Sequence, residues 1–153
     1  MQPRIEIGIG QQRLRLWEGE LLRGEWPVST AAAGIGFAEG SLQTPLGRFR
    51  ICEKIGHGAP ERTLFQSRVP VGLAFEPSDE DQILTRILWL DGLDPGNAHT
   101  RARYIYIHGT NHEARIGIPE SHGCIRMRNA DVIDLFDRVE VGTEVGIWEN
   151  FDR

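Results

Sequence analysis

Two short segments carry the side chains of this sequence whose chemistry is most reactive. The first is His108-Gly109-Thr110, and the second, after a polar loop, is Ser121-His122-Gly123-Cys124-Ile125-Arg126. A cysteine becomes a strong nucleophile when an imidazole takes its proton, and the two groups need only be close in space. The combination therefore predicts a cysteine nucleophile at Cys124, with His108 as the general base.

The neighbours of these two residues can supply the remaining parts of such a site. The second ring nitrogen of the base needs a fixed acceptor, which the carbonyl of Gly109 can provide. Gly123 permits a sharp turn, so that the amides of Gly123 and Cys124 can point toward a developing oxyanion. Arg126 is a permanent cation that can pair with a carboxylate of the substrate.

Alternation of apolar and polar residues predicts several short strands. Residues 5–9 alternate, and the pattern resumes at 14–16 after a turn, which predicts a hairpin. Residues 49–51 and 145–147 predict further strands. Residues 83–90 fit either a helix or a buried strand, and their β-branched and aromatic side chains favour the strand.

Two further elements flank the reactive segments. Residues 104–107 have the β-branched and aromatic content of a core strand, with His108 at its end. Tyr106 alternates onto the same strand face as His108, which predicts that it lines the pocket. One clear helix is expected to start with Asn129 as its N-cap and to stop near Gly142. The predicted fold class is therefore mainly β with one clear α-helix.

Composition limits the partners of the chain. Its 153 residues predict one domain over 1–153, and 17 Lys and Arg against 22 Asp and Glu give a net charge of -5. No block of basic residues is present, which argues against nucleic acid, and no apolar run is long enough to span a bilayer. Oligomeric state is left open by the sequence.

The number of cysteines and the spacing of the histidines bear on two other kinds of chemistry, disulfide bonding and metal binding. Two cysteines make no disulfide framework, and Cys52 is expected to be structural and inert. The side chains of His108, His112, His122 and Cys124 could be imagined as zinc ligands, but His108 and His112 lie across a loop. The sequence therefore predicts neither a metal nor a cofactor.

The two reactive segments together, His108-Gly109-Thr110 and Ser121 through Met127, resemble the signature of the L,D-transpeptidase catalytic domain, also called the YkuD domain. Three other segments resemble landmarks of that family: Pro27-Val28-Ser29-Thr30, Thr44-Pro45-Leu46-Gly47, and Ile116-Gly117 with Pro119. The resemblance covers nearly the whole chain and implies a β-sandwich or barrel. It also implies acylation by carbapenem-type β-lactams.

The resemblance implies that Cys124 attacks the carbonyl of the L-centre of diaminopimelate in a tetrapeptide stem and expels the terminal D-alanine. Some versions of the signature have Asn where this chain has Arg126, a difference that concerns substrate contacts and not the nucleophile. The other roles it implies are His108 as base, Gly109 as the orienting carbonyl, His122 and Gly123 at the acyl-binding and oxyanion site, and Ser121 as a shaping residue.

The fate of the acyl group separates two enzymes. Transfer to water makes an L,D-carboxypeptidase, whereas transfer to the amine of another stem makes a cross-link. The chain as given begins without a recognisable export signal, so it is predicted to resemble small unexported members that act in the cytoplasm. Its expected partner is then a peptidoglycan-derived tetrapeptide or muropeptide, trimmed during recycling. A periplasmic transpeptidase whose leader was removed, and an inactive peptide-binding module, are the alternatives.

Overall fold

The structure is a computed structural model that describes residues 2–152, and in them it contains ten strands and one α-helix. The predicted fold class, mainly β with one helix, is confirmed. The strands are β1 Pro3–Gly8, β2 Arg13–Glu18, β3 Leu21–Pro27, β4 Gly47–Ile55, β5 Thr63–Gln66, β6 Val69–Leu73, β7 Ile83–Gly92, β8 Tyr106–Gly109, β9 Ile125–Met127 and β10 Glu144–Trp148. The helix α1 is Asn129–Arg138, and two single-turn 3-10 helices span Pro95–Asn97 and Glu113–Arg115.

All ten strands belong to one sheet. Its order is β3-β2-β1-β10-β4-β7-β5-β6, and β8 pairs with β7 and with β9. The pairs β1–β10 and β8–β9 are parallel, and the predicted hairpin is the antiparallel pair β1–β2. Residues 83–90 lie in β7, so the strand was the correct interpretation and the helix the wrong one. The pattern was ambiguous because β7 is buried on both faces between residues 84 and 90.

The main core forms where the sheet meets the apolar face of α1. Buried residues of β1, β2, β4, β7 and β10 pack there against the helix. Burying one such side chain contributes about 1.5–3 kcal/mol, which explains why the alternating segments are held in a fixed register. The helix side chains in this cluster are Val132, Leu135 and Phe136.

The helix differs from its prediction at both ends. Arg128 occupies the N-cap position and Asn129 is the first helical residue, so its assignment as the cap was wrong. The first turn is stabilised instead by the carboxylate of Glu113, which accepts a hydrogen bond from the backbone amide of Asn129 at 2.9 Å. The helix ends at Arg138, earlier than predicted, where the ammonium of Lys54 donates to the last carbonyls. No helix in residues 2–152 is long and apolar enough to cross a membrane.

The strand that carries His108 begins later than predicted. Tyr104 has a φ of 56° and lies in a turn, so β8 starts only at Tyr106. His108 and Gly109 are consequently within the strand and not beyond it. The shift matters for the site, because pairing with neighbouring strands now fixes the backbone of both residues.

Candidate active site

Two adjacent parallel strands position most of the predicted site residues. In the pairing of β8 with β9, His108 lies directly opposite Arg126. Because alternate residues of a strand point to the same side, Tyr106 and Cys124, each two residues earlier, share that side. The residues between them belong to the main core. The structure thus brings Tyr106, His108, Cys124 and Arg126 into one patch, here named the reactive face.

The sulfur of Cys124 is held by two backbone groups. It accepts a hydrogen bond from the amide of Tyr106 and donates one to the carbonyl of Tyr104, each at 3.3 Å. Burial of the sulfur raises the pKa of the Cys124 thiol to about 12; Asp81 also raises it, and the Tyr106 amide and Arg126 oppose the rise. At neutral pH the residue is therefore a thiol, which becomes a nucleophile only when a base takes its proton.

His108 is buried in the form that a general base requires. Its side chain is 1% exposed, and Nδ1 lies 2.5 Å from the carbonyl oxygen of Gly109. A carbonyl only accepts, so Nδ1 carries the proton and Nε2 has the free lone pair. Burial lowers the pKa of His108 below its usual 6.5, against the opposite effects of Asp81 and the Gly109 carbonyl. The ring is therefore neutral at pH 7 and able to accept a proton.

A buried network holds the backbone around Gly109 from behind. The side-chain amide nitrogen Nδ2 of Asn129 donates to the backbone carbonyl of Thr110 at 2.9 Å, and the hydroxyl of Thr85 donates to the side-chain oxygen Oδ1 of Asn129 at 2.6 Å. Thr85 has a φ of 78°, which is rare for a β-branched residue. A Cβ on Gly109 would lie 2.6 Å from the carbonyl oxygen of Leu84, so only glycine fits. Sequence reasoning missed Thr85 and misread Asn129 as a cap.

The turn before the nucleophile is fixed by hydroxyl groups. Ser121 Oγ donates to the carbonyl of Cys124 at 2.5 Å and accepts from the amide of Gly123 at 3.2 Å. Thr44 Oγ1 donates to the carbonyl of Gly123, whose φ of 119° requires glycine. Ser121 is thus placed as a shaping residue. The Gly123 amide is already engaged, so the expected pair of oxyanion donors reduces to the Cys124 amide.

Arg126 is buried and faces an acidic residue that the sequence did not single out. Its exposed fraction is 2%, and its Nη2 lies 3.0 Å from Oδ2 of Asp81. The same carboxylate oxygen is 3.9 Å from Nδ1 of His122, whose side chain is 66% exposed. His122 therefore lies at the rim of the site. Asp81 has no spacing relation to the reactive segments, because its position depends on the pairing of β7 with β8.

Tyr106 forms one wall beside the nucleophile. Its ring is 4% exposed and meets the edge of Trp89 at 5.7 Å between centroids. Its hydroxyl accepts from Arg68, which lies at the tip of the β5–β6 hairpin and also stacks over the Trp89 ring. Cys124 packs against the apolar cluster that contains both aromatic rings. The predicted pocket residue is thus a buried support of the reactive face.

Two depressions are lined by residues that contact the site. One of about 310 Å³ is lined by Tyr104, whose carbonyl contacts the Cys124 sulfur, and by His122; another of about 320 Å³ is lined by Asp81, which contacts Arg126, and by Gln82. A larger one of about 440 Å³ lies between residues 2–4 and 140–144 and contains no reactive side chain.

The other cysteine and the other histidines lie outside this arrangement. Cys52 is in β4, half-buried against apolar side chains, and burial raises the pKa of its thiol. Nε2 of His112 lies 3.1 Å from the carbonyl of Ser78. Within residues 2–152, no three His, Cys, Asp or Glu side chains are grouped closely enough to hold a metal ion.

The sheet presents a thiol and an oriented, neutral imidazole from two adjoining parallel strands. This arrangement is typical of proteins that use a cysteine nucleophile with a histidine base. Residues 2–147 match the family model of the L,D-transpeptidase catalytic domain, YkuD. Because the match covers nearly the whole chain, the chain belongs to this family.

Individual relatives show the same relationship. The chain is 54% identical over 43 residues to the probable L,D-transpeptidase YbiS of Escherichia coli (strain K12), a segment that covers 28% of this chain and 14% of YbiS. The fold is similar to the L,D-transpeptidase from Xylanimonas cellulosilytica DSM 15894, with a TM-score of 0.64, 20% identity, and coverage of 96% of this chain and 60% of that chain. The fold is also similar to L,D-transpeptidase 3 from Mycobacterium tuberculosis in complex with a faropenem-derived adduct. That comparison has a TM-score of 0.63 and 15% identity, and it covers 96% of this chain and 61% of that chain. The chain thus spans less than two thirds of each relative.

Proposed function

We propose that this chain is a cysteine L,D-carboxypeptidase of peptidoglycan stem peptides that releases the terminal D-alanine from the diaminopimelate of a tetrapeptide. Family membership supports the class of reaction. The observation that carries the proposal is the reactive face, where Cys124 is a thiol and His108 a neutral base held by Gly109. The two residues are in the protonation states from which acylation starts.

Acylation follows from these two groups. Nε2 of His108 takes the thiol proton while the sulfur of Cys124 bonds to the carbonyl carbon of the scissile amide. The resulting oxyanion is placed to accept from the amide of Cys124. As the tetrahedral intermediate collapses, His108 passes the proton to the leaving amine, so that D-alanine departs neutral at nitrogen and a thioester remains.

Deacylation reuses the same base. A water molecule gives its proton to His108 and attacks the thioester carbonyl, and the departing sulfur of Cys124 then recovers the proton. Hydrolysis is the leading proposal because Cys124 is only half-buried, so water reaches a thioester there without a second binding site. The products are a tripeptide stem and D-alanine.

A second candidate is cross-linking, in which the amine of another stem peptide replaces water. The observation that favours it is the presence of two separate depressions near the reactive face, one lined by Tyr104 and His122 and the other by Asp81 and Gln82. One could hold the acyl donor and the other the acceptor. Both reactions share the acyl-enzyme, and they differ in the product.

The test incubates purified protein and its Cys124→Ala variant with a free tetrapeptide and with the disaccharide tetrapeptide. Mass spectrometry follows D-alanine, tripeptide and dimeric muropeptide. Tripeptide formed only with Cys124 present supports the carboxypeptidase, whereas dimers support the transpeptidase. Binding without turnover would leave a peptide-binding module. Fractionation of the native cells tests the predicted cytoplasmic location.

A further inference from the structure

Arg103 is a half-buried arginine in the turn that leads into β8. Its guanidinium forms no ion pair with an Asp or Glu side chain in residues 2–152. Nη2 donates to the carbonyl of Gln43 at 2.6 Å and to Oγ of Ser41 at 3.3 Å, and Nη1 donates to the carbonyl of Gly36 at 3.4 Å. These acceptors are neutral, so they fix the position of the guanidinium without cancelling its charge. Because charged groups that leave water are usually paired, this cation is a candidate for binding an anion.

The guanidinium lies next to the turn that carries the nucleophile. Nη2 of Arg103 is 3.8 Å from the position that a Cβ on Gly123 would take, and Gly123 directly precedes Cys124. The charges of the two side chains also interact. Burial raises the pKa of Cys124, and Arg103 is among the groups that oppose this rise; burial lowers the pKa of Arg103, and Cys124 opposes that fall. A negative charge that arrives beside Cys124 is therefore attracted by Arg103.

Arg103 also borders space that a ligand can enter. It lines the depression of about 310 Å³ that Tyr104 and His122 line, and the carbonyl of Tyr104 contacts the Cys124 sulfur. Glu39 lines the same depression and attracts Arg103, but Glu39 is exposed, so that water and salt screen its charge. Three hydrogen bonds hold Arg103 in place. The fixed charge in this depression is therefore positive.

The donors that remain on Arg103 limit the kind of anion that fits. A guanidinium has five N–H groups, and the three hydrogen bonds above use three of them. The other two are on Nε and Nη1, which do not share an edge, so an anion is held by one hydrogen bond and by charge. A carboxylate brings the one negative charge that Arg103 balances. A phosphate dianion would leave a charge unbalanced in a chain whose net charge is already -5.

We propose that Arg103 and the depression it lines form a carboxylate-binding subsite for the molecule that Cys124 attacks. Arg103 is then a specificity-determining residue, because it favours electrophiles that carry a carboxylate near the reacting carbon over neutral ones of the same size. The inference rests on the proposed function, since it takes Cys124 as the nucleophile, and it adds the charge of the group that lies beside the reacting carbon.

The test compares two alkylating reagents that differ in one charge. Iodoacetylglycine carries a carboxylate one amide unit away from its reactive carbon, and iodoacetylglycinamide carries a neutral amide in its place. In both reactions the thiol of Cys124 loses its proton to the buffer, and the sulfur bonds to the methylene carbon and expels iodide. Mass spectrometry of the Cys124 peptide gives both rates at one alkaline pH. Their ratio is divided by the same ratio for N-acetylcysteine amide, and the pKa of Cys124 cancels because both reagents need the same thiolate.

The charged reagent is expected to be favoured about threefold to tenfold over the reference thiol, the factor that one charge-assisted hydrogen bond gives at a partly exposed site. Arg103→Gln should bring the ratio back to the reference value. Arg103→Lys should keep most of the preference, because it keeps the charge and loses only the fork. If Arg103 served only to hold residues 36–43, lysine would not rescue it and the two reagents would not be distinguished.

Arg101→Gln is the matched control. It makes the same charge change two positions earlier, on an exposed residue that does not line the depression, and it should keep the ratio. A ratio at or below the reference value overturns the subsite. So does a preference that persists in Arg103→Gln, or one that Arg101→Gln abolishes to the same extent. If Arg103→Gln does not fold, the unsubstituted chain measured against the reference thiol still decides.

The subsite and the proposed function fail in different ways. Release of D-alanine by a chain that shows no preference for the charged reagent keeps the enzyme and overturns the subsite. A preference for the charged reagent in a chain that releases no D-alanine keeps the subsite and overturns the enzyme.

Discussion

Replacing Asn129 by Ala tests whether the network behind Gly109 positions the base. The substitution removes two buried hydrogen bonds, one from the hydroxyl of Thr85 and one to the carbonyl of Thr110. Leaving a buried group without its partner costs about 1–3 kcal/mol each, so the free energy of unfolding should fall by about 2–6 kcal/mol. For a chain of this size, that corresponds to a melting temperature lower by roughly 4–24 °C.

Activity should fall as well, because the Gly109 carbonyl is no longer held against the imidazole of His108. A displacement of about 1 Å at a reacting group can cost about 10²-fold in rate, so kcat/KM for D-alanine release should drop about tenfold to a hundredfold. The drop is expected in kcat more than in KM, because Asn129 does not line the peptide path. Circular dichroism gives the melting temperature, and turnover is measured well below it.

Asp134→Ala is the control on the same helix. It removes an exposed ion pair with Arg138 four residues on, worth about 0.3–0.5 kcal/mol, so its melting temperature and turnover should hardly change. If Asn129→Ala melts within about 2 °C of the unsubstituted chain and keeps full turnover, the argument that this network positions the base is wrong.

Five further outcomes are expected. The acid limb of the pH profile of kcat/KM should lie at a pH lower than 6.5, because burial lowers the pKa of His108. The free energy of unfolding should decrease as the pH drops below 6.5, because the unfolded chain then binds a proton that the folded chain excludes. Urea titrations at several pH values measure this decrease. Ser121→Ala should reduce acylation about tenfold or more by freeing the turn around Cys124, measured by single-turnover kinetics, and full activity would contradict this. Lys54→Met should lower stability by about 1–2 kcal/mol in urea unfolding, because the last carbonyls of α1 lose their donor. A carbapenem should add its mass to the intact chain and add nothing to Cys124→Ala.

Much of the fold could be read from local pattern. The hairpin over β1 and β2, the strands around Phe49 and Val145, and a single helix after Cys124 follow from alternation and from helical spacing, which depend on near neighbours. The errors fell where local pattern was ambiguous or misleading. Asn129 has the side chain of a typical N-cap, yet it is the first helical residue. Its side-chain amide instead bonds to Thr85 in β7 and to Thr110 just after β8.

The candidate site divides in the same way. Sequence placed His108 and Cys124 in motifs whose chemistry is recognisable without a structure. Their protonation states were not readable, because the pKa of each depends on burial by distant segments. Asp81 was not readable either, since a loop residue more than twenty positions before His108 meets Arg126 only through the pairing of β7 with β8.

The amino-acid sequence is sufficient to identify the reactive groups and the class of element that carries each. Residue type and short-range spacing suffice for that, because the chemistry of a thiol, an imidazole or a guanidinium belongs to the side chain. Which of these groups face one another depends on how the strands pair, and local sequence does not specify that pairing. The parallel register of β8 and β9 puts four side chains on one face, and a shift by one residue would turn them into the core.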